Sequence, residues 1–410
     1  MKRLLSLSWR SLWRNKRRTA ISVGSIGSGL ALCVFFVSLR NGVYSRLVEE
    51  AVRMQGGHVT LEHPEYREAP SVDLLIHDAG DIRRRIEALP GVERTKAVVM
   101  GQALIKSGNG SVGVMVTGVE PAAERNSSPL SHRVTAGSYL EGNDGAEVLI
   151  GRHLAERLNV GPGKKAVLAV STVGGEMAEE LVRVRGVFAV GVPQVDGYMV
   201  QAPIGFARRL FGIAPDQCTQ LGIVLDNPDK EGRIVRAVAP MVAGRPIAVR
   251  GWQEIMPNVA SFIRIGEVSN VIYQGLFMFL ILLTIFNTLL MSVLERRREF
   301  AVLLALGTPP RDLRLQVLME TALLGVLGCG IGLLAGSAGA YYAQVHGIDM
   351  RHVFREGVNL SGFAFDLIFR PRPTPAIVIW AGGLVFGATL LLGLYPMSLA
   401  ARVRAAEWLR

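Results

Sequence analysis

The sequence predicts a polytopic α-helical membrane protein with four transmembrane helices and a large mixed α/β extracytoplasmic domain between helices 1 and 2. Three observations lead there. Four long stretches contain no Asp, Glu, Lys or Arg, and the excess positive charge sits in three short segments. One long, charge-balanced segment separates the first apolar stretch from the other three.

The uncharged stretches are Thr19 to Leu39, Val268 to Leu294, Thr321 to Ile348 and Pro373 to Ala401, of 21, 27, 28 and 29 residues. About 20 helical residues, rising 1.5 Å each, cross a hydrocarbon core. Buried helices of soluble proteins rarely run so long without a charge. The expected spans are therefore 19–39, 268–294, 321–345 and 373–401.

Charge sets the orientation. Segments 1–18, 295–320 and 402–410 together hold 15 basic and 5 acidic residues, a net of +10 out of +11 for the chain. Segment 40–267 holds 26 of each sign. Positive charge favours the cytoplasmic side. Both termini and the 295–320 loop are expected inside, with domain 40–267 and loop 346–372 outside. The basic balance thus reflects membrane topology and gives no support to nucleic-acid binding.

The first span is longer than the apolar core of a signal peptide and ends in "FFVSLRNG", a poor cleavage site, so it reads as a retained anchor. Before it, "MKRLLSLSWRSLWRNKRR" places Leu4, Leu5, Trp9, Leu12 and Trp13 on roughly one helical face. That pattern predicts an interfacial amphipathic helix over 1–18, apolar side in lipid. Cys33 and Cys329 fall in spans, leaving Cys218 alone in the outer domain as an inert buried thiol.

Within 40–267, "DIRRRIEALPGVERTKAVV" reads helix, Pro-Gly break, strand, and "GRIVRAVAPMVAGRPIAVRGW" repeats that order near the far end. The two ends of the segment are expected to build one subdomain together. Between them, Asn109-Gly110 in "QALIKSGNGSVGVMVTG" signals a hairpin, and "AVLAVSTVGGEMAEELVRVRGVF" a second one around Gly174-Gly175. His58 and His63 flank the strand-like "HVTLEH" and are expected on the surface.

The spans are rich in glycine: Gly24, Gly27 and Gly29 in the first, Gly325, Gly328, Gly332 and Gly336 in the third, Gly383 and Gly387 in the fourth. Several stand four apart, allowing close helix approach, while the rest are ordinary tolerance of glycine in lipid.

Catalytic signals are missing. "NVGPGKKA" lacks the first glycine and the hydroxyl residue of a phosphate loop, and there is no H-E-x-x-H, C-x-x-C or G-x-S-x-G. No span carries an Asp or Glu to relay protons. The chain is expected to be no enzyme, with no catalytic residue, metal or cofactor of its own.

Charge returns at "ERRREFAVLLALGTPPRDL", residues 295–313. Glu295 with Arg298, and Arg296 with Glu299, stand three apart and can pair on a helix. Phe300, Val302, Leu303, Leu304 and Leu306 are too few to span a membrane and too apolar for a free loop. Gly307 is placed to close the helix, with Thr308 and Pro309 as N-cap and first residue of the next. The product is a short amphipathic helix suited to a groove on a cytoplasmic partner.

This stretch resembles the permeases of the MacB/FtsX class of ABC transporters. Their pattern N-T-x-x-x-S-V-x-E-R-x-x-E-x-x-x-L-x-A-L-G falls on Asn287, Thr288, Ser292, Val293, Glu295, Arg296, Glu299, Leu303, Ala305, Leu306 and Gly307, and leads to Glu320. The resemblance covers the whole chain. "EVLIGRHLAERLNVGPGKKAVL" and "VRVRGVFAVGVPQVDGYMV" look specifically like the lipoprotein-releasing (Lol-type) members.

The resemblance implies a permease subunit paired with a second, identical or homologous, permease subunit and with two copies of a separate (LolD/MacB-like) ATPase that holds ATP and Mg. In that arrangement Glu295, Arg296, Glu299, Phe300, Leu303, Leu304, Leu306 and Gly307 form the ATPase-coupling helix. ATP-driven closure pushes these helices, and outer domains lift lipoprotein or other lipid-like cargo from the outer leaflet of the bacterial inner membrane. Leu303→Asp is expected to uncouple ATP hydrolysis while leaving insertion intact. Relatives that dock a soluble periplasmic carrier use a protruding, Pro-containing loop before "VRGVF"; "STVGGEMAEE" is too short for it. Either no carrier docks, or a paired subunit supplies the loop. Two other functions fit the same stroke: efflux of amphipathic drugs, peptides or lipids, and mechanotransmission without transport to a cell-wall hydrolase or signalling partner.

Overall fold

The structure is a computed structural model, and it describes the chain except for residues 1–7, 11, 15, 55, 126–127, 129, 192, 350–358, 361–362, 365–367 and 401–410. It divides into two compact units. One holds Met1–Ser45, Arg264–His352 and Leu367–Arg410; the other holds Arg46–Ile263 and Val353–Asp366.

Four helices are long and apolar enough to cross a membrane, within Lys16–Met54, Pro257–Glu295, Pro310–His346 and Pro375–Ala400; the first unit holds them except for Arg46–Met54 and Pro257–Ile263, which fall in the second. Each contains one of the uncharged stretches, or nearly all of it. Leu30, Val34, Ile285, Leu324, Ala381 and Val385 form their common core. Glycine sets how closely helices one and three approach. A Cβ on Gly332 would lie 2.7 Å from the Gly27 carbonyl oxygen, and one on Gly336 would lie 2.8 Å from that of Ala31. Gly24, Gly383 and Gly387 face open space and are there by tolerance.

Ahead of the first helix, residues 8–10 and 12–14 are helical, while Leu4 and Leu5 lie outside the described residues. Trp9 and Trp13 are exposed and meet edge to face at 5.9 Å. Leu12 departs from the expected interfacial placement. It is buried in the core of the membrane helices, and its carbonyl accepts a 2.6 Å hydrogen bond from Thr19 Oγ1. Much of loop 346–372, and the tail 402–410, lie outside the described residues. The loop's ends pair as a short ladder, Ile348–Asp349 with Ile368–Phe369.

The second unit is a mixed α/β domain built on one ten-stranded sheet: β1 (Val59–Glu62), β2 (Val92–Ser107), β3 (Gly110–Val119), β4 (Val134–Gly137), β5 (Glu147–Gly151), β6 (Lys165–Ser171), β7 (Met177–Phe188), β8 (Met199–Pro203), β9 (Gln220–Leu225) and β10 (Ala248–Gly251). The order is β10-β1-β9-β2-β3-β8-β5-β7-β4, with β6 on β2 and β7. The ends of the segment therefore meet, as expected, with Val59 opposite Gly251. Strand β2 joins two regions: its first half pairs with β9 and its second with β3 and β6.

One face of the sheet carries the apolar core. Ala97, Val99, Val116, Val200, Leu221 and Ile223 pack there under helices Ala79–Glu87, Arg152–Leu158, Ile204–Phe211 and Glu231–Val238. Both hairpins form. The first turns one residue earlier than the Asn109-Gly110 signal: Ser107 pairs with Gly110, so Gly108 and Asn109 make the turn. A loop of two residues fits between those paired strands. The second closes with Thr172 N donating to Glu176 O at 2.8 Å, with Gly174 and Gly175 at φ 96 and 86. Only glycine adopts such angles without strain.

Cys218 is fully buried, and burial pushes its thiol up to about 12, so it is inert. His58 is buried, against expectation, because its Nδ1 accepts the Leu225 N–H at 3.1 Å. Burial pushes its pKa down to about 4.

Candidate functional site: a short helix and a cavity between the first two membrane helices

The helix Arg297–Ala305 lies between the second and third membrane helices in sequence, and its two ends explain why it stands apart. Arg296, at φ −98 and ψ 9, breaks the helical run before it. At the far end Gly307 takes φ 88. Its N–H donates to Leu304 O at 3.1 Å and the Thr308 N–H donates to Leu303 O at 3.0 Å, a Schellman closure. The next helix starts one residue later than the sequence signals, with Pro309 at the cap and Pro310 as first residue.

The residues of the expected coupling helix divide into two sets. Phe300 is buried, and Leu303 and Leu304 are half-buried, against Val293, Leu313, Val317 and Met397. Arg296 is buried with them. Its Nη1 donates to Glu320 Oε2 at 2.7 Å, its Nε to Glu299 Oε2 at 3.1 Å, and its guanidinium lies 5.2 Å from the Phe300 ring centre. Glu295, Glu299, Leu306 and Gly307 are exposed, and so are Arg298, Val302 and Ala305 between them. Leu306 is 77% exposed and Val302 44%, a large apolar stripe at helical spacing with charge at its N-terminal end.

Arg14 was not singled out by sequence. Its guanidinium pairs with Glu299, which holds that carboxyl below the usual carboxylate range, with Arg296 adding to the effect. The basic run before the first span was the only sign of it. The buried partnership of Arg296 with Glu320, 24 residues away, left no periodic trace.

A second feature lies between the first two membrane helices. A cavity of about 480 Å³ is lined by Gly29, Leu32, Phe36, Phe277 and Ile281 along most of its length, with Arg40, Tyr44 and Asn270 among its few polar contributors. Phe36 and Phe277 stack at 6.4 Å. Gln274 Nε2 donates to Cys33 Sγ at 3.6 Å. Gly29 sets the close approach at the wall, since a Cβ there would meet Ile281 at 2.6 Å. Arg40 is the charged side chain among the described lining residues, and the rest of the wall is largely apolar.

Residues 19–241 match the MacB-like periplasmic core domain family, and residues 271–404 the FtsX-like permease C-terminal family. The chain is 22% identical to the lipoprotein-releasing system transmembrane protein LolC of Neisseria meningitidis serogroup B, covering 96% of this chain and 94% of that one. It is also 22% identical to the corresponding LolE of Haemophilus influenzae, over 98% and 97% of the two chains. The crystal structure of the periplasmic region of MacB from Actinobacillus actinomycetemcomitans covers 52% of this chain and 97% of its own, at TM-score 0.37 and 11% identity. Permeases of this type work with a partner ATPase. The chain belongs to the LolC/LolE and MacB family of ABC transporter permeases, as a multi-pass membrane protein.

Proposed function

We propose that this chain is the permease subunit of a transporter that extracts lipoproteins from the outer leaflet of the bacterial inner membrane, driven by ATP hydrolysis on a separate ATPase. The observation that carries the reading is the cavity between the first two membrane helices. Its body is apolar, its polar residues are few, and its volume of about 480 Å³ suits acyl chains. Near-full-length similarity to two lipoprotein-releasing permeases supports the same cargo class.

In this reading the exposed stripe Arg298, Val302 and Leu306 enters a groove on the ATPase. Phe300, Leu303, Leu304 and the Arg296–Glu320 pair hold the helix so that a push reaches the membrane helices. The chain contributes no nucleotide site; ATP and Mg belong to the partner. Termini and coupling helix lie in the cytoplasm by their charge. The second hairpin is closed tightly at Thr172 and Glu176, and in this reading either no soluble carrier docks or a paired permease subunit supplies the docking loop.

Efflux of amphipathic drugs, peptides or lipids uses the same chamber and stroke and is the second reading. Mechanotransmission to a cell-wall hydrolase or signalling partner needs no chamber, and the cavity counts against it. Native mass spectrometry of the complex drawn from its own membrane tests all three. Two permease chains, an ATPase dimer and an acylated lipoprotein are expected. A complex carrying only phospholipid would favour efflux, and one bound to a soluble hydrolase would favour mechanotransmission.

A further inference from the structure

The sheet of the outer unit has two unlike faces. Strand pairing fixes which side chains share each one, because neighbours in register project to the same side. Opposite the apolar core, Met115 of β3 stands beside Met199 of β8, and Thr117 beside Gln201. Met100 of β2 stands opposite Thr117 from the other side. These five residues line a cavity of about 310 Å³, at the lower end of the range for small-molecule sites.

The cavity's charges are already matched. Lys96 Nζ lies 3.6 Å from Glu124 and donates to Arg53 O at 3.0 Å. Glu62 accepts from Arg67 at 2.8 Å and from Gln220 at 2.8 Å, with Arg250 at 3.3 Å. Among the described lining residues, a ligand with net charge would find no counter-ion that is not already committed.

Among the described residues, two polar atoms in the cavity wall are not matched. Gln201 is 3% exposed and its amide lies against the hydroxyl of the buried Tyr139; among the described residues its Oε1 has no hydrogen-bond partner in the present amide orientation. Neither has Thr117 Oγ1, its neighbour in register. Buried polar atoms of this kind are rare in folded proteins and call for a partner. Next to them stand three half-buried methionines, whose flexible, polarisable thioethers adapt to varied apolar shapes.

We propose that this cavity binds a small uncharged amphipathic molecule. Its polar end carries both a donor and an acceptor, as an amide does, and its apolar end lies on Met100, Met115 and Met199. A ligand N–H meets Gln201 Oε1, and the Thr117 hydroxyl donates to the ligand carbonyl. The amide remains complementary if the Gln201 side chain is turned end for end. The site lies in the outer unit and does not depend on the lipoprotein reading.

The test uses the full chain in lipid nanodiscs, labelled with methyl-¹³C methionine and assigned by single Met→Leu variants. Hexanamide is titrated against hexanoate and hexylamine. Saturable shifts confined to the Met100, Met115 and Met199 methyls are expected with hexanamide, roughly tenfold weaker with either charged analogue. Gln201→Leu should weaken hexanamide binding about tenfold while preserving the remaining methionine spectrum. Thr117→Val serves as an independent second variant should Gln201→Leu disturb the fold. Absence of shifts, equal response to all three compounds, or unchanged binding in a folded variant would overturn the proposal.

Discussion

Arg296 donates through Nη1 to Glu320 Oε2 at 2.7 Å, and both side chains are almost wholly withdrawn from the surface. The pair ties the start of the short helix to the third membrane helix. It also presents Arg296 to Glu299 and to the Phe300 ring. One residue thereby joins the helix to the third membrane helix through Glu320 while bracing against Glu299 and Phe300 of the short helix itself.

Removing one partner of a buried pair leaves the other charge uncompensated, at a cost of about 3–5 kcal/mol. Arg296→Ala and Glu320→Ala should each lower the thermal midpoint of the purified chain. The double variant Arg296→Met/Glu320→Leu should recover most of that loss, because apolar replacement of both partners is tolerated. Calorimetry in one detergent across the four proteins measures this; additive losses would show that the two residues act independently.

Anchoring and docking can be separated within the short helix. Leu306→Asp changes a side chain that is 77% exposed and should leave folding intact while abolishing stimulation of the partner ATPase. Phe300→Ala opens a buried cluster and should cost about 3–5 kcal/mol. Leu303→Asp places a charge at the edge of that cluster, so it should lose stability along with coupling. Paired melting and ATPase assays distinguish the variants. Normal coupling in Leu306→Asp would remove the exposed stripe from the interface.

Helices one and three should respond sharply to a single methyl. Gly332→Ala drives a Cβ against the backbone at Gly27, and overpacking of this kind costs about 1–3 kcal/mol. Gly383→Ala meets open space and should be neutral or slightly stabilising. Melting temperatures of the two variants in the same detergent provide the comparison.

His58 should contribute an acid-dependent loss to the stability of the outer unit. The unfolded chain takes up this proton near pH 6.5, the folded one only at about 4. Between those values the folded state binds fewer protons, so stability falls as pH drops from about 6.5 to about 4, by about 3 kcal/mol at most. Glu231, pushed up to about 7 by burial, acts in the opposite sense, favouring the folded state below its own pKa. His58→Asn keeps an acceptor for the Leu225 N–H and removes the titration. Chemical denaturation at pH 7 and pH 4.5 should show this variant gaining stability relative to the parent chain as the pH falls, whatever net slope Glu231 leaves in both.

Much of the fold was legible in the sequence because its strongest signals are local. Unbroken apolar runs mark the membrane helices, and Gly174-Gly175 and Gly307 mark a turn and a helix end. Signals one step from local slipped by one residue: Gly108-Asn109 turns where Asn109-Gly110 was expected, because cross-strand register placed Gly110 in β3. Long-range pairings were invisible. The bond between His58 and the Leu225 amide spans 167 residues. At the candidate site, sequence marked the short helix but did not distinguish its anchoring residues from its exposed ones, because that depends on packing against Leu313, Val317 and Met397. The cavity face of the sheet was equally hidden, since Met100, Met115, Thr117, Met199 and Gln201 are neighbours only by register.

The adjacency of β1 and β10 has a consequence for modularity. Val59 and Gly251 are register partners although almost two hundred residues separate them along the chain, so the segment leaves its sheet next to where it entered. A domain whose two ends lie together behaves as a cassette: it can be replaced by another of different size without stretching the helices that carry it. Permeases built on this plan can therefore acquire new outer recognition surfaces by exchange of a single insert while the membrane machinery is inherited unchanged.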